Sequence, residues 1–260
     1  MASTKTVVFI HGMYMTPLCW EGWVERFRSK GYRCVTPAWP GRDQPVETLR
    51  KNQPDMQLGE LTLAGILEHL AGAIKGLDEK PALIGHSMGG LAVQILLQQG
   101  LAVAGIAIDP APPMGVFTAE WPFLKANWGH VNPLVPQNQP VEMSFERFQY
   151  AFANGMPLAE QQAAYEKYVV PESRRVPRQS LTSIARIDFK KPHAPLLLIA
   201  GSIDHLIPAS LVRNNFNKYK NSSSVTDYRE FSGRNHFLIG QEKWEEVADA
   251  CLEWLSKQAV

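Results

Sequence analysis

The stretch Ala82-Leu83-Ile84-Gly85-His86-Ser87-Met88-Gly89-Gly90-Leu91 decides how the rest of the chain is read. An apolar run meets Gly-x-Ser-x-Gly and passes at once into Leu91-Ala92-Val93-Gln94-Ile95-Leu96-Leu97, which predicts a buried strand, a sharp turn and a helix over Met88 to Gln99. Glycines two before and two after Ser87 let strand and helix approach closely, and the serine itself is forced into a strained backbone. The amides of the helix start would face the same spot, where they suit an oxyanion. A tight turn that merely tolerates serine predicts the same glycines, so the reading depends on what else the chain brings to Ser87.

Outward from this turn, short apolar runs alternate with amphipathic segments. Strands are predicted at Thr6 to Ile10, Tyr32 to Thr36, Pro81 to Ile84, Val103 to Ile108, Pro195 to Ile199 and Ser224 to Phe231. Helices are predicted at Leu61 to Ile74, Met88 to Gln99 and Glu242 to Lys257, the last with Trp244, Val247, Cys251, Trp254 and Leu255 on one stripe. This alternation implies an α/β fold: a mostly parallel sheet with helices on both faces. It breaks between Asp109 and His193, where seven prolines fall between Pro110 and Pro140 and helix-like segments follow around Ser144 to Asn154 and Pro157 to Tyr168. So long a structureless loop is improbable, and the stretch reads as an inserted helical lid. The expected division is a core over residues 1–110, a lid over 111–192 and a second core part over 193–260.

Composition removes several classes of function. Among 260 residues, 45% are hydrophobic and 20% charged, the balance of a globular protein rather than a disordered one. The 26 Lys and Arg against 25 Asp and Glu, with no basic block, argue against a nucleic-acid or membrane-surface partner. Cys19, Cys34 and Cys251 are scattered without metal-ligand spacing, which points away from zinc or a disulfide framework and towards a reducing, cytoplasmic setting. The apolar run Val7 to Ile10 is too short for a secretory leader, and no run reaches the eighteen residues of a membrane helix. HExxH, P-loop and GxGxxG patterns are absent, so neither metal nor cofactor is implied.

Two further motifs support a functional Ser87. Gly201-Ser202-Ile203-Asp204-His205-Leu206-Ile207-Pro208 follows one predicted strand, and Gly233-Arg234-Asn235-His236 follows another. Their polar groups therefore fall past strand C-termini, on the ligand-binding side of a parallel sheet. The chain order Ser87, Asp204, His236 is the order of a nucleophile, acid and base on such a sheet. With Val7-Val8-Phe9-Ile10-His11-Gly12 near the start, these motifs resemble the α/β-hydrolase superfamily, in its small-esterase, haloperoxidase-like and hydroxynitrile-lyase-like branches. The resemblance spans nearly the whole chain apart from the lid. The superfamily usually places two strands before the one ending in His-Gly, and too few residues precede it here, which leaves about six strands.

The resemblance implies that Ser87 is the nucleophile, His236 its base and Asp204 the group that orients the imidazole. It also implies that the backbone amides of Met13 and Met88 form the oxyanion hole. Asp109, which also ends a strand, is the alternative acid. His11 and His86 are read as shaping their turns; His69, His130, His193 and His205 have no motif context, and Arg42-Asp43 is read as a structural loop. Tyr14, Trp121, Phe123, Trp128 and Phe148 are candidates for the substrate pocket, with plain core packing as the competing reading for the lid aromatics. The expected activity is hydrolysis of small to medium carboxylic esters, so the expected partner is a small-molecule ester. The alternatives are a non-hydrolytic use of the same groups (perhydrolysis, C–C hydrolysis or cyanohydrin cleavage) and a ligand receptor on the same fold. Oligomeric state is left open.

Overall fold

Strands β1 (Thr6–Ile10), β2 (Arg33–Val35), β3 (Ala82–His86), β4 (Ala104–Ile108), β5 (Leu196–Gly201) and β6 (Thr226–Phe231) form one parallel sheet in the order β2-β1-β3-β4-β5-β6. The computed structural model describes residues 5–131, 134–221 and 223–258; of the residues read above, Pro133 and the side chain of His130 lie outside them. All six predicted strands are present, shifted by two residues at most at either end.

The helices are α1 (Glu21–Ser29), α2 (Val46–Lys51), α3 (Met56–Glu60), α4 (Leu63–Lys75), α5 (Met88–Gln98), α6 (Trp121–Val131), α7 (Phe145–Ala151), α8 (Leu158–Tyr168), α9 (Arg175–Gln179), α10 (Ala209–Lys218) and α11 (Glu245–Lys257). They cover both faces of the sheet. Phe9 lies 5.2 Å from the Trp20 ring and 5.1 Å from that of Phe27 in α1, whereas its neighbour Ile10 pairs with Gly85, and a side chain at Gly85 would strike Gly89 and Val93 of α5. Successive strand residues point to opposite faces, so α1 and α5 lie on opposite sides.

Six helices, α1, α2, α3, α6, α9 and α10, escape the sequence reading, three of them with features that bear on it. In α6, Pro122 occupies the first turn, where its missing N–H has no intrahelical acceptor in any case. Gly22 in α1 permits close packing, since a Cβ there would meet Trp244 at 2.7 Å. The buried stripe of α10, Leu211, Val212 and Asn215, includes an amide whose Nδ2 donates to Gln94 Oε1 at 3.0 Å.

The strand order sets the position of everything that follows. From β1 the chain crosses one way to β2 and then back past β1 to β3, so the sheet reverses winding between β1 and β3. A crevice opens at such a point beyond the strand C-termini. The turn after β1, His11-Gly12-Met13-Tyr14, and the turn after β3, centred on Ser87, flank it. Beyond them in order come Asp109 after β4, Asp204 after β5 and His236 after β6.

Candidate active site

Ser87 begins α5 with φ 57° and ψ −118°, a conformation that costs roughly 1–3 kcal/mol and persists only where surroundings enforce it. They do so here through backbone contact. A Cβ on Gly85 would lie 2.2 Å from Gly89 O, and one on Gly12 would lie 2.9 Å from both His86 O and the Ser87 Cβ. The Ser87 N–H donates to Ile108 O at 2.9 Å, and its carbonyl accepts from Gly90, Leu91 and Ala111. Tyr14 at φ 62° and Asp109 at φ 39° are also strained, so three of the four described non-glycine residues with positive φ border this crevice.

The imidazole of His236 is fully buried, edge-on to Phe152 at 4.8 Å and tilted against His86 at 4.7 Å. Its Nδ1 lies 2.6 Å from Asp204 Oδ2, while the other Asp204 oxygen accepts from the amides of Leu206 at 2.6 Å and Ile207 at 2.9 Å. Nδ1 is therefore the protonated nitrogen. Nε2 is left as a buried acceptor with no protein donor among the described residues. Asn235 holds the turn, its Nδ2 donating to Asn154 O and its Oδ1 accepting from Phe237 N. His86, read above as shaping its turn, donates from Nε2 to the His236 carbonyl at 2.7 Å.

Met13 and Met88 flank Ser87 from the turns after β1 and β3, and among the described residues neither N–H donates to a protein atom. A second buried pair holds the Met13 turn. Glu172 accepts from Tyr14 N at 3.1 Å through Oε2, and through Oε1 from Ser173 N at 2.7 Å, with Arg42 Nη2 at 2.8 Å from the same oxygen. Val170 N donates to Tyr14 O, and His11 lies tilted against Trp39 at 4.5 Å while accepting from its amide. Arg42 thus fits its structural reading. Glu172 is a residue the sequence did not single out; its signal is an acid directly after Val169-Val170-Pro171, but its partners lie about 130 and 160 residues earlier.

Above Ser87 lies a cavity of about 260 Å³. Its wall is apolar, built from Met13, Tyr14, Met88, Phe123, Trp128, Phe152, Leu206 and Ile207 among others, with Asn127 and Ser180 as the polar additions. The structure places Tyr14, Phe123 and Trp128 on this wall, Trp128 remaining 65% exposed at the rim. Trp121 and Phe148 are not on it. Trp121 projects from the start of α6 and is 71% exposed, and Phe148 is buried beneath the wall against Phe152, Tyr165 and Phe237. Periodicity could not separate these cases, because wall, rim and under-layer all carry aromatic side chains. Phe152 was unmarked by any motif, and Leu206 and Ile207 lie in the Gly201 to Pro208 motif without having been singled out as wall residues.

Burial governs the titrating groups. Desolvation pushes His236 down to about 3, pushes His11 down to about 3 and holds His86 well below the ordinary imidazole range. Asp109 is pushed well above the usual carboxylate range, first by burial and then by the charge of Asp204. A lowered imidazole contributes stability that is present above pH 6.5 and lost as the pH falls, because the unfolded chain binds the proton first; a raised carboxyl works the other way. Burial also raises Asp204, so three imidazoles against this carboxyl pair leave a net uptake of one to two protons on unfolding, and stability should fall by about 1.4–3 kcal/mol per pH unit near pH 5. Urea melts at pH 7.5, 6 and 5 measure this, and a midpoint that does not change from pH 7.5 to 5 would contradict three neutral buried imidazoles.

Comparison with known proteins agrees with this architecture. A sequence model described as the alpha/beta hydrolase family matches residues 7–250. No curated protein matches. Among solved structures, the monoacylglycerol lipase of Paleococcus ferrophilus is similar at TM-score 0.69 and 19% identity, over 99% of this chain and 97% of that one. Tomato methylketone synthase I, as a variant complexed with beta-ketoheptanoate, is similar at TM-score 0.72 and 14% identity, over 98% and 99%. An extracellular alpha/beta-hydrolase from a Paenibacillus species is similar at TM-score 0.67 and 21% identity, over 95% and 98%. Among the described residues no helix is long and apolar enough to cross a membrane.

Proposed function

The chain belongs to the alpha/beta hydrolase family, and from that premise we propose that it is a serine hydrolase acting on small to medium carboxylic esters through an acyl-enzyme. One observation carries this reading. His236 presents a buried, unpartnered Nε2 while Asp204 holds its Nδ1 at 2.6 Å, and its ring lies 4.7 Å from that of His86, the residue before the strained serine at the floor of an apolar cavity. Two of the similar structures, a monoacylglycerol lipase and a polyneuridine aldehyde esterase, bear names of ester-cleaving enzymes and support the same class of substrate.

In this mechanism His236 Nε2 takes the proton of Ser87 Oγ as the oxygen attacks the ester carbonyl. The negative charge that develops on the carbonyl oxygen is met by the amides of Met13 and Met88, donors fixed by the two turns and in need of no reorganisation. Collapse of the tetrahedral adduct expels the alcohol, which takes the proton back from His236. Water, deprotonated by the same nitrogen, then releases the acid and restores Ser87. Asp204 stays ionised throughout and stabilises the imidazolium. The stretch 111–192 acts as a cap, supplying Phe123, Leu124, Trp128, Phe152 and Leu181 to the cavity wall. The three cysteines are all free, which supports a cytoplasmic setting.

The acyl-chain profile tests this reading. Each methylene that enters the cavity contributes roughly 0.8 kcal/mol, about fourfold in kcat/KM, until the space is filled. Initial rates on p-nitrophenyl esters should therefore rise over the first few acyl carbons and then drop steeply, with no jump above the critical micelle concentration. Preference for chains of twelve or more carbons would contradict a closed, short pocket, and an absence of ester turnover across the series would overturn the hydrolase reading itself.

A further inference from the structure

Asp109 is a buried carboxyl for which the reaction above has no use. It ends β4 in a strained conformation and is fully buried, with the Gly201 N–H donating to its Oδ1 at 2.8 Å. Its Oδ2 is also buried and has no N–H aimed at it. The titratable groups that face it are His86 from β3, Asp204 from the loop after β5 and His236 from the loop after β6. The Asp204 carboxyl stands within hydrogen-bonding reach of it.

Two carboxyl groups can hydrogen-bond each other only if one of them carries a proton, and in a dry interior both cannot be ionised. The surroundings decide which keeps it. Asp204 accepts from two backbone amides and from the His236 ring, whereas Asp109 accepts from one amide alone. Charge is best solvated on Asp204, and the buried Oδ2 of Asp109 is satisfied only as an O–H.

We propose that Asp109 is a positioning residue: as a neutral carboxylic acid it donates its O–H to Asp204 and so fixes that carboxylate against His236 without adding a second negative charge. The proposal rests on the reading of Asp204 and His236 as the acid–base pair. A charged Asp109 would hold the imidazole protonated, whereas a neutral donor adds one more hydrogen bond to Asp204 and keeps it ionised.

Two measurements test it. In protein carrying carboxyl-labelled aspartate, infrared spectra at pH 7 should show a carboxylic-acid carbonyl band that disappears in Asp109→Asn and in Asp109→Ser. Absence of that band in the unsubstituted protein would overturn the proposal, and this test needs no substrate. The second is the acid limb of kcat/KM. Asp109→Asn exchanges one neutral donor for another, so kcat/KM should stay within about threefold and the limb within about 0.3 pH unit. Asp109→Ser leaves Asp204 without that donor, so kcat should fall about tenfold or more with KM unchanged, and the limb should move upward as Asp204 becomes more basic.

If Asp109 were ionised, Asp109→Asn would instead shift the limb downward by roughly a pH unit. If its role were packing alone, Asp109→Ser would lower the melting temperature and leave the limb in place. Either outcome overturns the proposal. A protein that shows the infrared band but cleaves no ester overturns the esterase reading and leaves the protonation of Asp109 standing.

Discussion

Ser87→Ala is expected to reduce kcat by about 10⁶-fold, the scale on which loss of the nucleophile removes covalent catalysis and leaves only binding and oxyanion stabilisation. Stability should barely change. The Oγ of Ser87 accepts and donates no hydrogen bond among the described residues, and the strained turn is enforced by backbone contacts at Gly85, Gly89 and Gly12 that alanine leaves intact. Relief of the strain is not available to alanine either, since its Cβ meets the same walls. A fluorophosphonate should add one equivalent of mass to the unsubstituted protein, on the peptide containing Ser87, and nothing to the variant. Residual turnover above one percent in Ser87→Ala, or an adduct on another peptide, would overturn the assignment.

Asp204→Asn is expected to cost up to about 10⁴-fold in kcat, by a different route. The amide can keep the hydrogen bonds from Leu206 and Ile207 on its oxygen, which directs its N–H₂ at His236 Nδ1. That nitrogen must then accept, the proton moves to Nε2, and the base no longer faces Ser87 with a lone pair. Asp109 lies near the same ring, with an oxygen within 4.8 Å of a His236 nitrogen, but among the described residues it makes no hydrogen bond to that ring, whose Nδ1 is held by residue 204. The loss should appear in kcat with KM little changed, and the serine should react with the fluorophosphonate at a rate reduced in parallel. Equal losses in Asp204→Asn and Asp109→Asn would show that the two carboxyls act as one acid rather than as acid and support.

The strands and the reactive turns were legible in the sequence because each is specified locally. A buried strand such as Ala82 to His86 is apolar at every position, and the Gly85 and Gly89 requirement follows from the geometry of one turn. Asp204 and His236 were legible for a related reason, since each immediately follows a strand and their order along the chain matches their order along the sheet. The segment between β4 and β5 was legible only as helical matter. Its helices are short, α7 capped by the Ser144 hydroxyl and α8 following Pro157 without a side-chain cap, and their faces are divided among cavity wall, solvent and under-layer, so Phe148 and Phe152, four residues apart, part company.

The sequence by itself determined a parallel α/β sheet, the strained serine turn and the strand ends from which an acid and a base could emerge. These are properties of single turns and single strands, settled by residues within about ten positions of one another. The tertiary structure alone decided which carboxyl orients His236, that Glu172 and Arg42 hold the turn bearing Met13, and which aromatics line the cavity. Each of those depends on distances between side chains brought together by different strands and by the segment above them. Burial sets their charge states, and burial belongs to the packed molecule: Asp109 and Asp204 are the same residue after similar strands, and only the number of donors aimed at each distinguishes them.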